Sequence, residues 1–190
     1  MKIIGISGSP KLTGFTNLLL NKAMEGAASV GAQTETIVLN QLEFDPCQEC
    51  RSCTDTGICA QKDQMSPVYE KILSADGLIV ASPIYFGSVS AQLKMMIDRL
   101  MCIWNAKYML KKKITRSAAR KGIFICIAGE DKKEYFDSAK KVVKMMFATT
   151  NVRYAGDLFV GGMDNMPADS PKRKVSIDKA FSLGRRLCGD

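Results

Sequence analysis

Four cysteines, Cys47, Cys50, Cys53 and Cys59, fall in the stretch CQECRSCTDTGIC with the spacing C-x2-C-x2-C-x5-C. The first three share the two-residue spacers of the runs that wrap iron–sulfur clusters. Such spacers let a looping backbone turn successive thiolates toward one centre. Gly57 lets the chain turn back and bring the fourth. The donor set admits other readings. A structural zinc also takes four thiolates, usually as two separated C-x2-C pairs. Metal-free thiols can switch redox state, and structural disulfides fit an oxidising compartment only.

Two further segments carry chemistry. Ser7-Gly8-Ser9-Pro10-Lys11-Leu12-Thr13-Gly14-Phe15-Thr16-Asn17 follows a short apolar run and leads into a helical pattern. A helix start offers unpaired N–H groups and a positive dipole end, which favour a phosphate. Ser9, Thr13 and Thr16 add hydroxyls, and Gly14 permits close backbone approach. The loop has neither G-x-x-x-x-G-K-[ST] nor G-x-G-x-x-G, which argues against a P-loop or a dinucleotide fingerprint. It suits the terminal phosphate of a mononucleotide such as FMN; the plain alternative is an ordinary strand-to-helix turn. Ser82–Ser88 (SPIYFGS) reads as a loop whose Pro83, Tyr85, Phe86 and Gly87 would give a flat ring an apolar wall and backbone hydrogen bonds. On its own it reads as core aromatics at a turn. Ala128-Gly129-Glu130-Asp131 would close the other side.

These segments need elements to hold them. Lys2–Ser7, Thr34–Leu39, Gly77–Ala81, Gly122–Ala128 and Tyr154–Val160 read as strands, the central ones apolar throughout, as strands buried on both faces are. Between them, helical spacing runs over 16–30, from Ser66-Pro67 to 74, over Val89–Cys102, and along a stripe from Tyr135 to Phe147 that reads as core. Gly31 reads as the first helix's C-cap, Ser66 as the second's N-cap, and Asp131 with Glu134 as a capping box for the stripe. Pro171–Cys188 reads as a closing helix. Strands alternating with helices predict an α/β fold with a doubly wound parallel sheet of five strands in the flavodoxin-like order 2-1-3-4-5. The chain of 190 residues suits one domain, 1–190, with the cysteines on an irregular excursion at 45–63.

Composition narrows the function. The chain contains no histidine, so imidazole is unavailable as base, shuttle or ligand. No apolar run approaches the ~20 residues that cross a bilayer, and the first residues lack a signal peptide's pattern. A cytoplasmic protein is expected, its seven cysteines reduced or metal-bound, with Cys102 and Cys126 as small buried apolar groups. The net charge of +8 collects in Lys111, Lys112, Lys113, Arg116, Arg120 and Lys121. Few aromatics interleave there, so it reads as a solvated face or interaction surface and not a nucleic-acid site; an anionic cofactor or an acidic redox partner would account for the charge equally well.

GSPKLTGFT, ADGLIVASPIYFGSVSAQLKMMIDR and the intervening cysteines resemble the NADPH-dependent FMN reductase family, most of all its iron–sulfur flavoprotein branch. The likeness is strongest over roughly the first 130 residues. It implies an FMN-binding oxidoreductase. Ser7, Ser9, Lys11, Phe15, Thr16 and Asn17 would meet the phosphate, and Pro83, Ile84, Tyr85, Phe86 and Gly87 the ring, with Gly129 closing the site. The four clustered cysteines would hold a 4Fe–4S cluster that exchanges electrons with FMN. Many relatives carry asparagine where this chain has Phe15, so a side-chain contact to phosphate is lost there. The resemblance further implies a redox partner such as ferredoxin or NAD(P)H, and a homo-oligomer, dimer or tetramer, with Trp104 and Tyr108 as candidate contacts. The alternatives are an NAD(P)H-dependent FMN, quinone or azo reductase without a cluster, and a nucleic-acid-binding module with a zinc knuckle.

Overall fold

The computed structural model of the chain describes residues 1–115 and 119–189. Its elements in chain order are β1 (Lys2–Ser7), α1 (Phe15–Ala28), β2 (Gln33–Val38), α2 (Ser66–Ser74), β3 (Gly77–Tyr85), β4 (Ser88–Val89), α3 (Ala91–Arg99), α4 (Met101–Trp104), a π-helix (Asn105–Met109), β5 (Lys121–Ile127), α5 (Lys133–Thr149), β6 (Arg153–Val160) and α6 (Pro171–Cys188). Parallel pairing runs in the order β2-β1-β3-β5-β6, with β4 attached to β3 alone. The five parallel strands therefore take the expected doubly wound order. The small extra strand takes Ser88 from the expected loop and Val89 from the expected start of the next helix, which begins instead at Ala91.

Side chains alternate across the sheet as the two-residue period of a strand requires. Ile4 and Ile6 of β1, Leu78 and Val80 of β3, and Phe124 and Cys126 of β5 face a core shared with α2, α3, α4 and α5. Ile3, Ile79, Ala81, Ile123, Ile125 and Ile127 face the other way, toward α1 and α6. That second layer is unusually tight. A Cβ on Gly26 of α1 would lie 2.0 Å from the Phe181 carbonyl oxygen, and one on Gly184 of α6 would lie 1.8 Å from that of Ala23. The two helices touch backbone to backbone through reciprocal glycines.

Several local expectations are corrected. The third strand does not stop at Ala81. It runs on to Tyr85 and folds back through Phe86 and Gly87, both at positive φ (48° and 74°), into β4. That is the two-residue hairpin whose turn matches strand twist. Asp131 does not cap α5, whose start has no side-chain cap; its carboxylate pairs with Lys172 at 3.1 Å. Ser66 is not a capping residue either. The Asp63 carboxylate accepts from Met65 N at 3.0 Å just before α2 begins. The first helix ends earlier than expected, with Gly31 at φ 86° beyond its Ser29 cap.

The basic run is not one solvated face. Arg120 is 1% exposed, and its guanidinium donates to the carbonyls of Ala75 and Thr150, each at 2.6 Å, and to that of Ile72. These oxygens end α2 and α5, where the helix dipole is negative and carbonyls lack intrahelical partners. Lys112 donates to the Thr56 carbonyl at 2.8 Å. Arg116 lies outside the described residues. Cys102 and Cys126 are buried, as expected.

Replacing Gly184 with alanine places a methyl against backbone that no rotamer change can clear. We expect G184A to lower stability by about 2 kcal/mol in urea unfolding. At Gly31, where an added Cβ meets nothing within 4 Å, only the positive φ opposes substitution, so G31A should cost about half as much.

Candidate functional site

The β1–α1 loop is organised from within. Ser7 Oγ donates to Asn17 Oδ1 at 2.5 Å, and Asn17 Nδ2 donates to the carbonyls of Lys11 and Leu12 at 2.9 and 3.0 Å. Asn17 thus spends its whole amide on shaping the loop. Ser9 N donates to Ser7 Oγ at 3.2 Å, and Lys11 N to Ser9 Oγ at 3.3 Å. Gly14, the N-cap of α1, offers no side chain to the helix start. Among the described residues, the N–H groups of Phe15, Thr16 and Asn17 donate to nothing. Thr16 is 5% exposed, and its hydroxyl has no partner either. Lys11 is exposed, and the Phe15 ring lies under the Arg173 guanidinium, 4.5 Å from its centroid. An uncapped helix start ringed by hydroxyls is a place for an anion.

A depression of about 450 Å³ opens beside the β3–β4 hairpin. Ile84, Phe86 and Gly87 form one wall, and Ala128, Gly129 and Glu130 the other, with Tyr135 and Asp164 completing it. Pro83 is half-buried just before it, and the Tyr85 and Phe86 rings are exposed at its rim. A Cβ on Gly129 would lie 2.2 Å from an Asp164 carboxylate oxygen, so any side chain there would push the Asp164 carboxylate aside. Tyr135 was expected in the core stripe; it faces this depression instead. Asp164 gave no sequence signal, since it arrives from the loop after β6, where Met163 N donates to the Ala128 carbonyl at 3.1 Å. The hairpin is tied to the first loop through Ser90. Its Oγ donates to the Gly8 carbonyl at 2.5 Å and accepts from Leu93 N at 3.3 Å, while its own N–H donates to Ser82 Oγ at 3.0 Å.

The four cysteines of the excursion line one cavity of about 310 Å³, together with Arg99, Met101, Cys102 and Asn105. Cys47 and Cys50 are exposed, and Cys53 and Cys59 half-buried. Among the described residues no three Cys, Asp or Glu side chains lie close enough together to hold a single metal ion. The thiols are spread around the wall. Glu49 and Arg51, on either side of Cys50, have φ of 50° and 62°. Left-handed residues curl the chain so that N–H groups point into a concavity, as they do at many phosphate and iron–sulfur sites. Hydrogen bonds from Ser52 draw the Cys50 thiol pKa down, and Arg99 adds to the effect. Burial pushes that of Cys102 up to about 11.

Arg99 secures this excursion. It is 1% exposed, and it donates to Asp63 through both terminal nitrogens, at 2.6 and 3.1 Å. It also donates to the Asp45 carbonyl at 2.7 Å, to Gln61 Oε1 at 3.4 Å and to the Tyr69 hydroxyl at 3.2 Å. Both ends of the cysteine run are therefore fastened to the last residue of α3. The sequence held a signal for it: Leu93, Met96 and Arg99 share the buried face of α3, so a charge stands where an apolar residue belongs.

The Arg99 guanidinium holds the Asp63 carboxyl below its ordinary range, with burial opposing. A depressed carboxyl pKa adds stability above the unfolded value, ~3.9, and that stability is lost as pH falls through the folded value. D63N should therefore be less stable than the parent by about 2 kcal/mol at pH 7. The gap should close between pH 4 and pH 2, as read by urea unfolding at each pH.

Residues 1–132 match the NADPH-dependent FMN reductase family. An iron–sulfur flavoprotein of Methanocaldococcus jannaschii is 32% identical over 98% of this chain and 95% of its own length. One of Methanosarcina thermophila is 40% identical over 60% of each chain. Among solved structures, an NAD(P)H:quinone oxidoreductase from Methanothermobacter marburgensis superposes with a TM-score of 0.74 at 22% identity, over 98% of this chain and 96% of that one. An azoreductase from Bacillus anthracis superposes with a TM-score of 0.76 at 13% identity, over 98% and 99%. These two likenesses speak for the fold. Sequence and fold together place the chain in the NADPH-dependent FMN reductase family, in its iron–sulfur flavoprotein branch.

Proposed function

We propose that this protein is an FMN-dependent oxidoreductase that exchanges electrons between the flavin and a 4Fe–4S cluster held by Cys47, Cys50, Cys53 and Cys59. The observation that carries the cluster is the gathering of all four thiols around one cavity, on a segment pinned at both ends by Arg99. A wall of spread thiols suits a group several atoms across better than one ion. Curled backbone and a nearby guanidinium suit its negative charge.

The flavin reading rests on the open start of α1 and the depression beside the hairpin, both at the carboxyl ends of the parallel strands. The open N–H groups of Phe15, Thr16 and Asn17, with the hydroxyls of Ser9 and Thr16 and the Lys11 ammonium, would take the phosphate. Asn17 and Ser7 serve by holding the loop. Ile84, Gly87 and Gly129, with Pro83, Tyr85 and Phe86 at the rim, would seat the ring. The bound flavin supplies the one- and two-electron chemistry. The chain binds, orients and excludes water, which suits a protein without histidine. Reducing equivalents would come from NAD(P)H or a ferredoxin-like carrier. The exposed Trp104 and Tyr108 would meet another copy of the chain, and free thiols suit a cytoplasmic setting.

Both halves are open to test. Anaerobically purified protein should contain about four iron and four sulfide and one FMN per chain. Flavin without iron would leave a cluster-free NAD(P)H-dependent reductase, the function suggested by the names of the superposing structures. Absence of flavin binding would overturn the oxidoreductase reading itself. T16V should weaken FMN about tenfold, the worth of one hydrogen bond to a charged group, and leave riboflavin binding unchanged, as followed by flavin fluorescence.

A further inference from the structure

The π-helix, Asn105–Met109, lies beyond the helical spacing that the sequence shows over Val89–Cys102. Its widened turn is closed by Leu110 N donating to the Asn105 carbonyl at 2.9 Å, five residues back. Single π turns cost regular hydrogen bonding, and they are frequent at functional sites. Here the turn begins at Asn105, which is 9% exposed and lines the cysteine cavity. Its Nδ2 donates to Cys53 Sγ at 3.1 Å. Among the described residues that is the only hydrogen bond of its side chain. Most side-chain hydrogen bonds go to backbone or water; this one is directed at a cysteine sulfur. A thiolate only accepts, so the amide nitrogen must face it.

The segment that carries Asn105 is clamped on both sides. On the cysteine side, a Cβ on Gly57 would come within 2.7 Å of Ala106 Cβ, and Lys112 Nζ donates to the Thr56 carbonyl at 2.8 Å. On the far side, Lys107 Nζ and the Tyr108 hydroxyl donate to the Ala148 carbonyl at the end of α5, at 2.5 and 3.4 Å. The amide is thus held in place by the core, whereas the cysteines ride on an irregular excursion.

We propose that Asn105 is a positioning residue that sets the reduction potential of the cysteine-held centre through its N–H to Cys53. The inference rests on the cluster reading above. Adding one electron to such a centre raises the negative charge on its thiolate ligands. The Asn105 N–H dipole lowers the energy of that extra charge more than it lowers the oxidised form. The N–H bond stays intact and no proton moves; the electron comes from flavin or an external reductant. Hydrogen bonds to cluster sulfurs are among the groups that set such potentials. The effect is to raise the potential, making the centre a better acceptor from the flavin.

The test uses the full chain, purified anaerobically with FMN and iron. In a dithionite titration followed by electron paramagnetic resonance, N105L should shift the oxidised-to-reduced equilibrium of the cluster about tenfold toward the oxidised form. That is about 59 mV lower for a one-electron couple. The flavin couple and the iron content should stay where they were. An unchanged cluster potential at full iron content overturns the assignment to Asn105. Parent protein without iron overturns the cluster reading and this inference together. Should N105L fail to keep iron, the parent protein decides. With asparagine side-chain amides labelled with ¹⁵N, the reduced cluster should show ¹⁵N hyperfine coupling and an exchangeable proton lost in D₂O. Absence of both would overturn the proposal.

Discussion

One buried cation holds this molecule's least regular segment in place. From Leu42 to Asp63 the chain has no strand or helix to supply backbone partners, and such a stretch would ordinarily remain open to solvent. Arg99 converts it into a wall. A guanidinium presents five donors in a fixed fork, and here they go to a carboxylate, a main-chain carbonyl, a side-chain amide and a phenol from three separate stretches of sequence. Burial penalises the charge, but the Asp63 carboxylate and Tyr69 hydroxyl more than offset it, and the group is held protonated. Lysine, with a single nitrogen, could not reproduce that geometry.

Helix α3 gives this anchor a second meaning. The helix starts at Ser90, which ties the hairpin to Gly8, and ends at Arg99, which ties down the cysteines. Nine residues of helix span about 13 Å. The cysteine cavity and the depression beside the hairpin have no lining residue in common, yet one short rigid rod sets the position of both. Gly8 fits under this rod because it has no side chain: a Cβ there would lie 2.8 Å from Leu93 Cβ.

Periodicity read the scaffold well because the scaffold is periodic. Apolar runs in Lys2–Ser7 and Gly122–Ala128 announce strands covered on both faces, and Pro171 announces the start of the last helix. Where the reading failed, tertiary contacts outweighed local preference. Asp131 had a better partner in Lys172 than in its own helix. Arg120 looked like one more charge in a basic run until the ends of two helices closed over it. The cysteines, the phosphate-type loop and the hairpin aromatics were visible as residue types at telling spacings. Asp164 and Asn105 were not, because each reaches its cavity from an element distant in sequence, and no local pattern encodes that meeting; Tyr135 sits near its neighbours in sequence but its helical spacing placed it with the core stripe. Arg99 lay between these cases: its place on an apolar face was a signal, its partners were not.

The backbone contact between α1 and α6 carries an implication for how the protein is made. Gly26 meets Phe181, and Gly184 meets Ala23, so the helix that presents the Ser7–Asn17 loop is backed by a helix more than a hundred residues later in the chain. As the polypeptide leaves the ribosome from its N-terminal end, the strand and loop that open the chain emerge early but lack their support until α6 follows. Contacts so distant in sequence form late, because the entropy of closing the intervening loop must be overcome first.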